Sequence, residues 1–173
     1  MSTRIGRDFY LQDVLKVAPA LIGKKLVLLK DGIPDYYYIN ETEAYRGNDD
    51  LACHASKGMT PRTEVMFREG GILYMYLIYG MYWMMNIVTS IENDPQAVLI
   101  RGLDRISGPG RLTKNLGLDR SFNGESLITS ERIWLEEGYN SPKIITTPRI
   151  GIDYAGEPWV SKKWRFVSKP KTR

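Results

Sequence analysis

Apolar and polar residues alternate along this chain with two different periods. From Asp13 to Ile22, the residues Val14, Val17, Ala18, Leu21 and Ile22 recur at helical spacing, with Asp13 placed as an N-cap and Gly23 as a stop. Pro19 sits inside that pattern and predicts a kinked or shortened helix. Lys25 to Leu29 then reads as a strand, Asp31-Gly32 as a turn, and the aromatic and β-branched run Tyr36 to Thr42 as a second strand. The middle of the chain is its most apolar part. Ile72 to Tyr79 and Tyr82 to Thr89 are strand-like runs flanking Gly80-Met81, the pattern of a hairpin with a tight, exposed tip. Ala97 to Arg101 reads as a short buried strand after the Asn93-Asp94-Pro95 turn. Gly108-Pro109-Gly110 precedes a short helix through Leu116, with Gly117 as its cap. Arg149 to Ile152 and Trp164 to Val167 add two late strands. The mixture predicts an α+β fold: one compact domain over residues 1–173, a curved and mostly antiparallel sheet with helices around it, and one protruding β-hairpin.

Composition narrows the function. The chain has 173 residues, net charge +4, one cysteine and one histidine. A single cysteine excludes an internal disulfide framework. One cysteine and one histidine cannot fill the usual four-ligand structural zinc site, and the Cys-x-x-Cys element of the zinc base deaminases is missing. No apolar run approaches the roughly 20 residues of a membrane helix. The N-terminal segment from Met1 to Asp8 has no apolar stretch behind its early charge, so no signal peptide is expected. The expectation is a soluble intracellular protein of a reducing compartment. Ser161 to Arg173 carries six basic residues and no acidic one, with Trp164 and Phe166 among them and Trp159 just before. That stretch is either a solvated basic tail or an edge that meets phosphate.

Several residues are candidates for chemistry. Alternation puts Glu41, Glu43 and Tyr45 on one strand face and Thr42 and Ala44 on the other. The carboxylates are either a general base among apolar neighbours or a surface acidic pair. His54 stands beside Cys53, and on an extended chain neighbours point to opposite faces, so the two do not form a nucleophilic pair. Tyr74, Tyr76, Tyr79, Tyr82 and Trp83 crowd around one hairpin, as an aromatic sheet core or as platforms for flat rings. An aromatic at the tip suits a wedge inserted into a base stack. Gly108-Pro109-Gly110 lacks the lysine of a phosphate-binding loop and reads equally well as a plain turn.

Taken together the motifs resemble the alkyladenine (3-methyladenine) DNA glycosylases of the mammalian type, base-excision repair enzymes also widespread in bacteria. Glu41-Thr42-Glu43-Ala44-Tyr45-Arg46-Gly47, Asp49-Asp50 and Ala52-Cys53-His54 look like the family's first active-site block. Thr60-Pro61-Arg62, Met66-Phe67 and the hairpin from Leu73 to Tyr82 follow, with Asn86 behind it. Ala97 to Arg101, Gly108 to Leu112, Arg149-Ile150-Gly151 and Arg165-Phe166 complete a collinear series from Phe9 to Phe166.

The resemblance implies a role at each matching position. Glu43 would activate water and Arg101 would work with it. Tyr45 and Tyr76 would sandwich an extruded base, with His54 on its edge. Asn86 would screen purines carrying a 2-amino group. Tyr79 would fill the gap left in the duplex, and Met81 and Tyr82 would pack in the groove. The implied partner is double-stranded DNA containing damaged purines, met by a monomer that is cytoplasmic and nucleoid-associated if prokaryotic, and no metal or organic cofactor is implied. The activity implied is that of a monofunctional hydrolase, since no lysine falls in the matched motifs. It would act on alkylated and, given a proton source, deaminated purines. A non-enzymatic binder of damaged DNA or single strands, using the same tyrosines, is the alternative, and an RNA-processing enzyme on a related barrel is the third. The chain departs from the family in two places. The segment Gly102 to Ser107 is short, and Trp83-Met84-Met85 makes the second hairpin strand bulky.

Overall fold

The computed structural model describes residues 3–139 and 143–169. Its first helices are α1 (Arg7–Tyr10) and α2 (Val14–Ala20). The Asp13 carboxylate caps α2, accepting the N–H of Leu15 at 2.9 Å. The helix stops at Ala20, shortened as Pro19 requires, and the Thr42 hydroxyl donates to the carbonyl of Ala18 at 2.9 Å. Strand β1 (Lys25–Lys30) turns through Asp31-Gly32 into β2 (Ile33–Arg46). That strand is far longer than its aromatic centre predicts, because it serves two sets of neighbours.

Next come β3 (Leu73–Ile78), β4 (Tyr82–Thr89), β5 (Gln96–Leu103) and the short β6 (Ile106–Ser107). Helix α3 (Pro109–Leu116) ends on Gly117 at φ +69°, a left-handed cap. Strands β7 (Ile133–Glu136), β8 (Ile144–Thr147) and β9 (Arg165–Ser168) close the described chain. The result is α+β, with an open sheet of nine strands and three α-helices among the described residues. The sheet order is β3-β4-β5-β2-β1-β7, and every pairing is antiparallel. One edge of β2 is shared: β1 takes residues 33–38 and β9 takes residues 41–43.

Alternation sorts the side chains into two compartments. Ala44, Leu73, Met75, Met85, Ile87, Val98 and Ile100 face α2 and α3 and form the main core. The opposite face of the same strands carries Tyr74, Ala97 and Val88 against Cys53, Ala55, Val65 and Met66. That second, smaller core supports the cleft.

Two expectations change. Arg149 to Ile152 is not a strand but a loop, followed by a short 3-10 turn at Asp153–Ala155. Its residues are drawn inward by side-chain partners rather than paired into a ladder. Tyr79 is not in the hairpin strand either: β3 ends at Ile78, and Tyr79 and Gly80 form the turn with φ of +51° and +64°. The late strand expected at Trp164 to Val167 is present as Arg165–Ser168 and pairs with both β2 and β8, so only part of the stretch after Ser161 could be a tail. Lys171 and Arg173 lie outside the described residues. No helix among the described residues is long and apolar enough to cross a membrane.

Candidate active site

The register of the sheet writes the floor of the site. Tyr74 pairs with Asn86, Asn86 with Leu99, Leu99 with Glu43, and Glu43 with Arg165. Pairs directly opposite share a face, so these side chains form one row across β3, β4, β5, β2 and β9. Beside that row lie Tyr76 opposite Met84, and Tyr45 opposite Ala97. A cleft of about 750 Å³ opens over this face, walled by the chain from Leu51 to Arg62 and by Ile150, Ile152 and Tyr154. Of the bulky trio in β4, only Met84 reaches it; Trp83 packs against the main core and Met85 is buried in it.

Glu43 sits fully buried beneath the cleft. Its Oε1 accepts the Tyr45 hydroxyl at 2.9 Å and lies 3.5 Å from Nη1 of Arg101. Its Oε2 accepts the backbone N–H of Ile150 at 2.6 Å. Burial raises the Glu43 pKa above the ordinary carboxylate value, opposed by Arg101, the Ile150 N–H, the Tyr45 hydroxyl and Arg149. The surface-pair reading of the two carboxylates is therefore excluded for Glu43. Glu41 serves differently. Its Oε1 accepts Nε of Arg101 at 3.1 Å and Nε of Arg165 at 2.7 Å. It orients the guanidinium that faces Glu43. Burial and the Glu43 charge push the Tyr45 phenol well above its usual pKa, so it remains a neutral donor.

His54 opens a 3-10 turn, His54–Lys57, and its imidazole stacks on Tyr76 with ring centres 3.7 Å apart and planes 28° from parallel. Its Nδ1 lies 3.2 Å from the Tyr74 hydroxyl. Burial, with the charges of Arg62 and Lys57, lowers its pKa to about 4, so the ring is neutral near pH 7. The Arg62 guanidinium lies 4.0 Å from the centre of the same Tyr76 ring. Two flat groups that close to one centre cannot share a face, so His54 and Arg62 cover opposite sides of Tyr76. Asn86 is buried on the floor, with its amide donating to the carbonyls of Tyr74 at 3.2 Å and Met84 at 3.4 Å.

The hairpin tip lies apart from this cluster. Tyr79 is 88% exposed and Met81 64%, while Tyr82 turns back over α3. Gly110 explains that contact, since a Cβ there would stand 3.1–3.3 Å from the Tyr82 side chain. The Gly108-Pro109-Gly110 segment thus seats an aromatic and starts a helix. Cys53 is buried, with its thiol pushed up to about 11 by desolvation, and cannot act as a nucleophile near neutral pH. Among the described residues no three His, Cys, Asp or Glu side chains gather as metal ligands.

The structure brings Arg101, Tyr45, His54, Tyr76 and Asn86 to one cleft with Glu43 beneath it, and Tyr79 reaches its lining; Met81 and Tyr82 lie outside that lining. The family resemblance assigns no role to Glu41, Asp50, Arg62, Arg149, Ile150 or Arg165. Each acts through a partner distant in sequence, for which the local pattern carries no signal.

Known proteins resemble this chain over nearly its whole length. The family model described as methylpurine-DNA glycosylase matches residues 8–107 and 103–172. The two matches meet at the short Gly102–Ser107 connection, which the structure folds as the tight β5–β6 turn. A protein of Borreliella burgdorferi is 44% identical over 178 residues, covering 95% of this chain and 96% of its own length. One of Methanocella arvoryzae is 43% identical over 185 residues, covering 95% and 92%. One of Legionella pneumophila is 46% identical over 177 residues, covering 96% and 94%. All three are provisionally named 3-methyladenine DNA glycosylase. With its matched blocks spanning nearly the whole chain, this protein belongs to the methylpurine-DNA glycosylase family.

Proposed function

We propose that this protein hydrolyses the N-glycosidic bond of alkylated purines, 3-methyladenine-type lesions foremost, after they are flipped out of duplex DNA. The observation that carries the reading is Glu43, a buried carboxylate facing Arg101 beneath a cleft walled by Tyr45, His54 and Tyr76. A base inside the helix is out of reach of any such carboxylate, so extrusion must come first. Tyr79 is the wedge that replaces the lost stacking, a contact of about 1–3 kcal/mol per base. The extruded purine lies between Tyr45 and Tyr76. To stack on Tyr76 it must displace either His54 or Arg62. Arg62 is the easier to move, being exposed and held by one hydrogen bond to the Leu77 carbonyl at 2.6 Å.

The 3.5 Å gap from Arg101 to Glu43 is long for a charge-assisted hydrogen bond, which is about 2.7–2.9 Å. A water bridging the two groups would be oriented by both. Its oxygen bonds to C1′ of the sugar and its proton passes to Glu43. The electrons of the C1′–N9 bond return to the base, cancel the positive charge of an alkylated purine and release it neutral. The ionised carboxylate also faces the positive charge that builds on the sugar. A neutral base such as hypoxanthine needs a proton to leave, and His54, held neutral by burial, does not supply one near pH 7. Cationic alkylated purines are therefore the preferred class.

A single-turnover incubation with duplexes carrying 3-methyladenine, 7-methylguanine, hypoxanthine or ethenoadenine tests this. Free methylated base and an abasic strand are expected, with hypoxanthine slowest. Tight binding of the whole panel with no base released would make the protein a damage-binding module instead.

A further inference from the structure

Behind the cleft lies a second charged pair with no part in the chemistry of base release. The side chains of Arg149 and Asp50 are 0% and 1% exposed. Arg149 Nη1 donates to Asp50 Oδ2 at 2.6 Å and to the Ala44 carbonyl at 2.9 Å, and its Nη2 donates to Asp50 Oδ1 at 2.9 Å. Asp50 also accepts the N–H groups of Arg46 at 3.0 Å and Ala52 at 3.1 Å. The pair therefore ties the end of β2 and the loop after it to the distant segment 148–152.

Stability alone is a weak reason for such a pair. Burying two charges costs about as much as their attraction returns, and apolar residues of similar volume often serve as well. The placement is more telling. Ile150, next in the chain to Arg149, donates the 2.6 Å hydrogen bond to Glu43 Oε2. Tyr45, whose ring centre is 4.9 Å from the Arg149 guanidinium, donates the 2.9 Å bond to Glu43 Oε1. Both short hydrogen bonds to Glu43 thus come from residues tied to Arg149, Ile150 as its neighbour in the chain and Tyr45 against its guanidinium.

We propose that the Asp50–Arg149 pair is a positioning device for Glu43: it holds the Ile150 N–H and the Tyr45 hydroxyl on the two carboxylate oxygens and so fixes the angle of the carboxylate. The inference rests on the glycosylase reading. The groups facing Glu43 are Arg101 from β5, Tyr45 from its own strand, the Ile150 N–H from the 148–152 loop and, behind them, Arg149. Glu41 stands one partner away, through Arg101, and Arg165 two away, through Glu41. Loss of Arg149 removes a nearby positive charge and loosens the Ile150 donor. Both changes move the Glu43 pKa upward.

The test uses the paired variant Asp50→Asn/Arg149→Met, which leaves neither charge buried alone. The expected result on damaged duplex is a fall in kcat of about 10- to 100-fold with KM little changed, as for a small misplacement of a reacting group. The acidic limb of kcat moves to higher pH. Arg149→Lys, which keeps the charge, recovers part of both. A folded paired variant with wild-type kcat and an unmoved limb overturns the proposal. A second measurement does not depend on that variant folding. The Ile150 amide resonance of the wild-type protein, followed across the carboxylate range, should titrate with the midpoint of the kcat limb. It should shift upward in Arg149→Lys, and an amide that ignores the titration also overturns the proposal. If the wild type releases no base, the glycosylase reading fails, yet the amide titration still decides whether the pair acts on Glu43.

Discussion

The two ends of the β3–β4 hairpin have opposite characters. At the inner end Tyr74 is 1% exposed and faces Asn86 in the row that leads to Glu43. At the outer end Tyr79 is 88% exposed, held only by the turn, with φ at +51°. The inner end is buried and tied to partners far along the chain: Ile150, Arg149, Arg101 and Arg165 all converge there. Charges in such a place interact strongly and need little rearrangement during reaction. The outer end gives up packing, and accepts a backbone conformation costly for a non-glycine residue, to hold an aromatic ring in water. Chemistry needs the first environment and entry into a base stack needs the second, and one stiff ribbon connects them.

Substitutions at the two ends should therefore part company, and the largest effect belongs to the inner one. Glu43→Gln is expected to slow base release by about 10²- to 10⁴-fold, the usual weight of a general base. Binding to damaged duplex should change little. The melting temperature should hold or rise, because the variant no longer buries a charge whose pKa is already raised by burial. Single-turnover rates and thermal melts check this, and full excision by the variant would take Glu43 out of the chemistry.

At the tip, Tyr79→Gly reverses the pattern. Glycine relieves a left-handed strain of about 1–2 kcal/mol at a backbone-entropy cost of about 0.5–1 kcal/mol. The melting temperature is then expected to stay or rise slightly. Affinity for damaged duplex, read by fluorescence anisotropy, should fall about 10- to 100-fold, matching the loss of about 1–3 kcal/mol of stacking. A variant that melts lower and binds normally would erase the contrast between the two ends.

How far the sequence reveals each end follows from the range of the forces involved. The helix at Val14–Ala20, the hairpin and the Gly117 cap are legible because spacing and turn residues are local signals. Alternation also puts Glu43 and Tyr45 on one face, as observed. It cannot say whether that face is covered. The cover comes from Ile150, 107 positions away, and a surface acidic pair has the same local pattern. The same gap explains Arg149 to Ile152. Alternating isoleucines read as a strand, but Arg149 is drawn to Asp50, 99 positions away, and the Ile150 N–H is used by Glu43 instead of a ladder. At the tip, Tyr79 continues an aromatic run and reads as strand until the turn bends it into the left-handed region.

Between the two ends lies Arg62, and its effect should be smaller than either. An exposed guanidinium over a half-buried aromatic contributes about 0.5–1 kcal/mol. Arg62→Ala vacates one face of Tyr76 and removes a positive charge from the entrance. The expected outcome is a KM a few-fold lower for duplexes carrying cationic methylated purines, an unchanged kcat, and a smaller gain for hypoxanthine. Equal weakening for every duplex, together with a shallower salt dependence, would instead place Arg62 on the phosphate backbone.

The smallest effect is one of pH. The folded protein holds His54 at about 4, below its ordinary 6.5, so only the unfolded chain takes up that proton as pH falls. The resulting stability is present above pH 6.5 and is lost as pH drops through about 4. Glu43 acts in the opposite sense. Its raised pKa favours the folded state below the ordinary value of 4.5, and that contribution is lost as pH rises through the raised value. In the wild type the two partly cancel, which makes the single variants more informative than the parent. His54→Gln should lose less melting temperature than the wild type on acidification from pH 6.5, and Glu43→Gln should lose more. The exposed ion pairs that also weaken in acid are common to all three proteins and drop out of the difference. Parallel curves for His54→Gln and the wild type would mean that the cleft wall does not hold its histidine neutral. Its imidazole would then be free to donate the proton that a neutral base needs in order to leave.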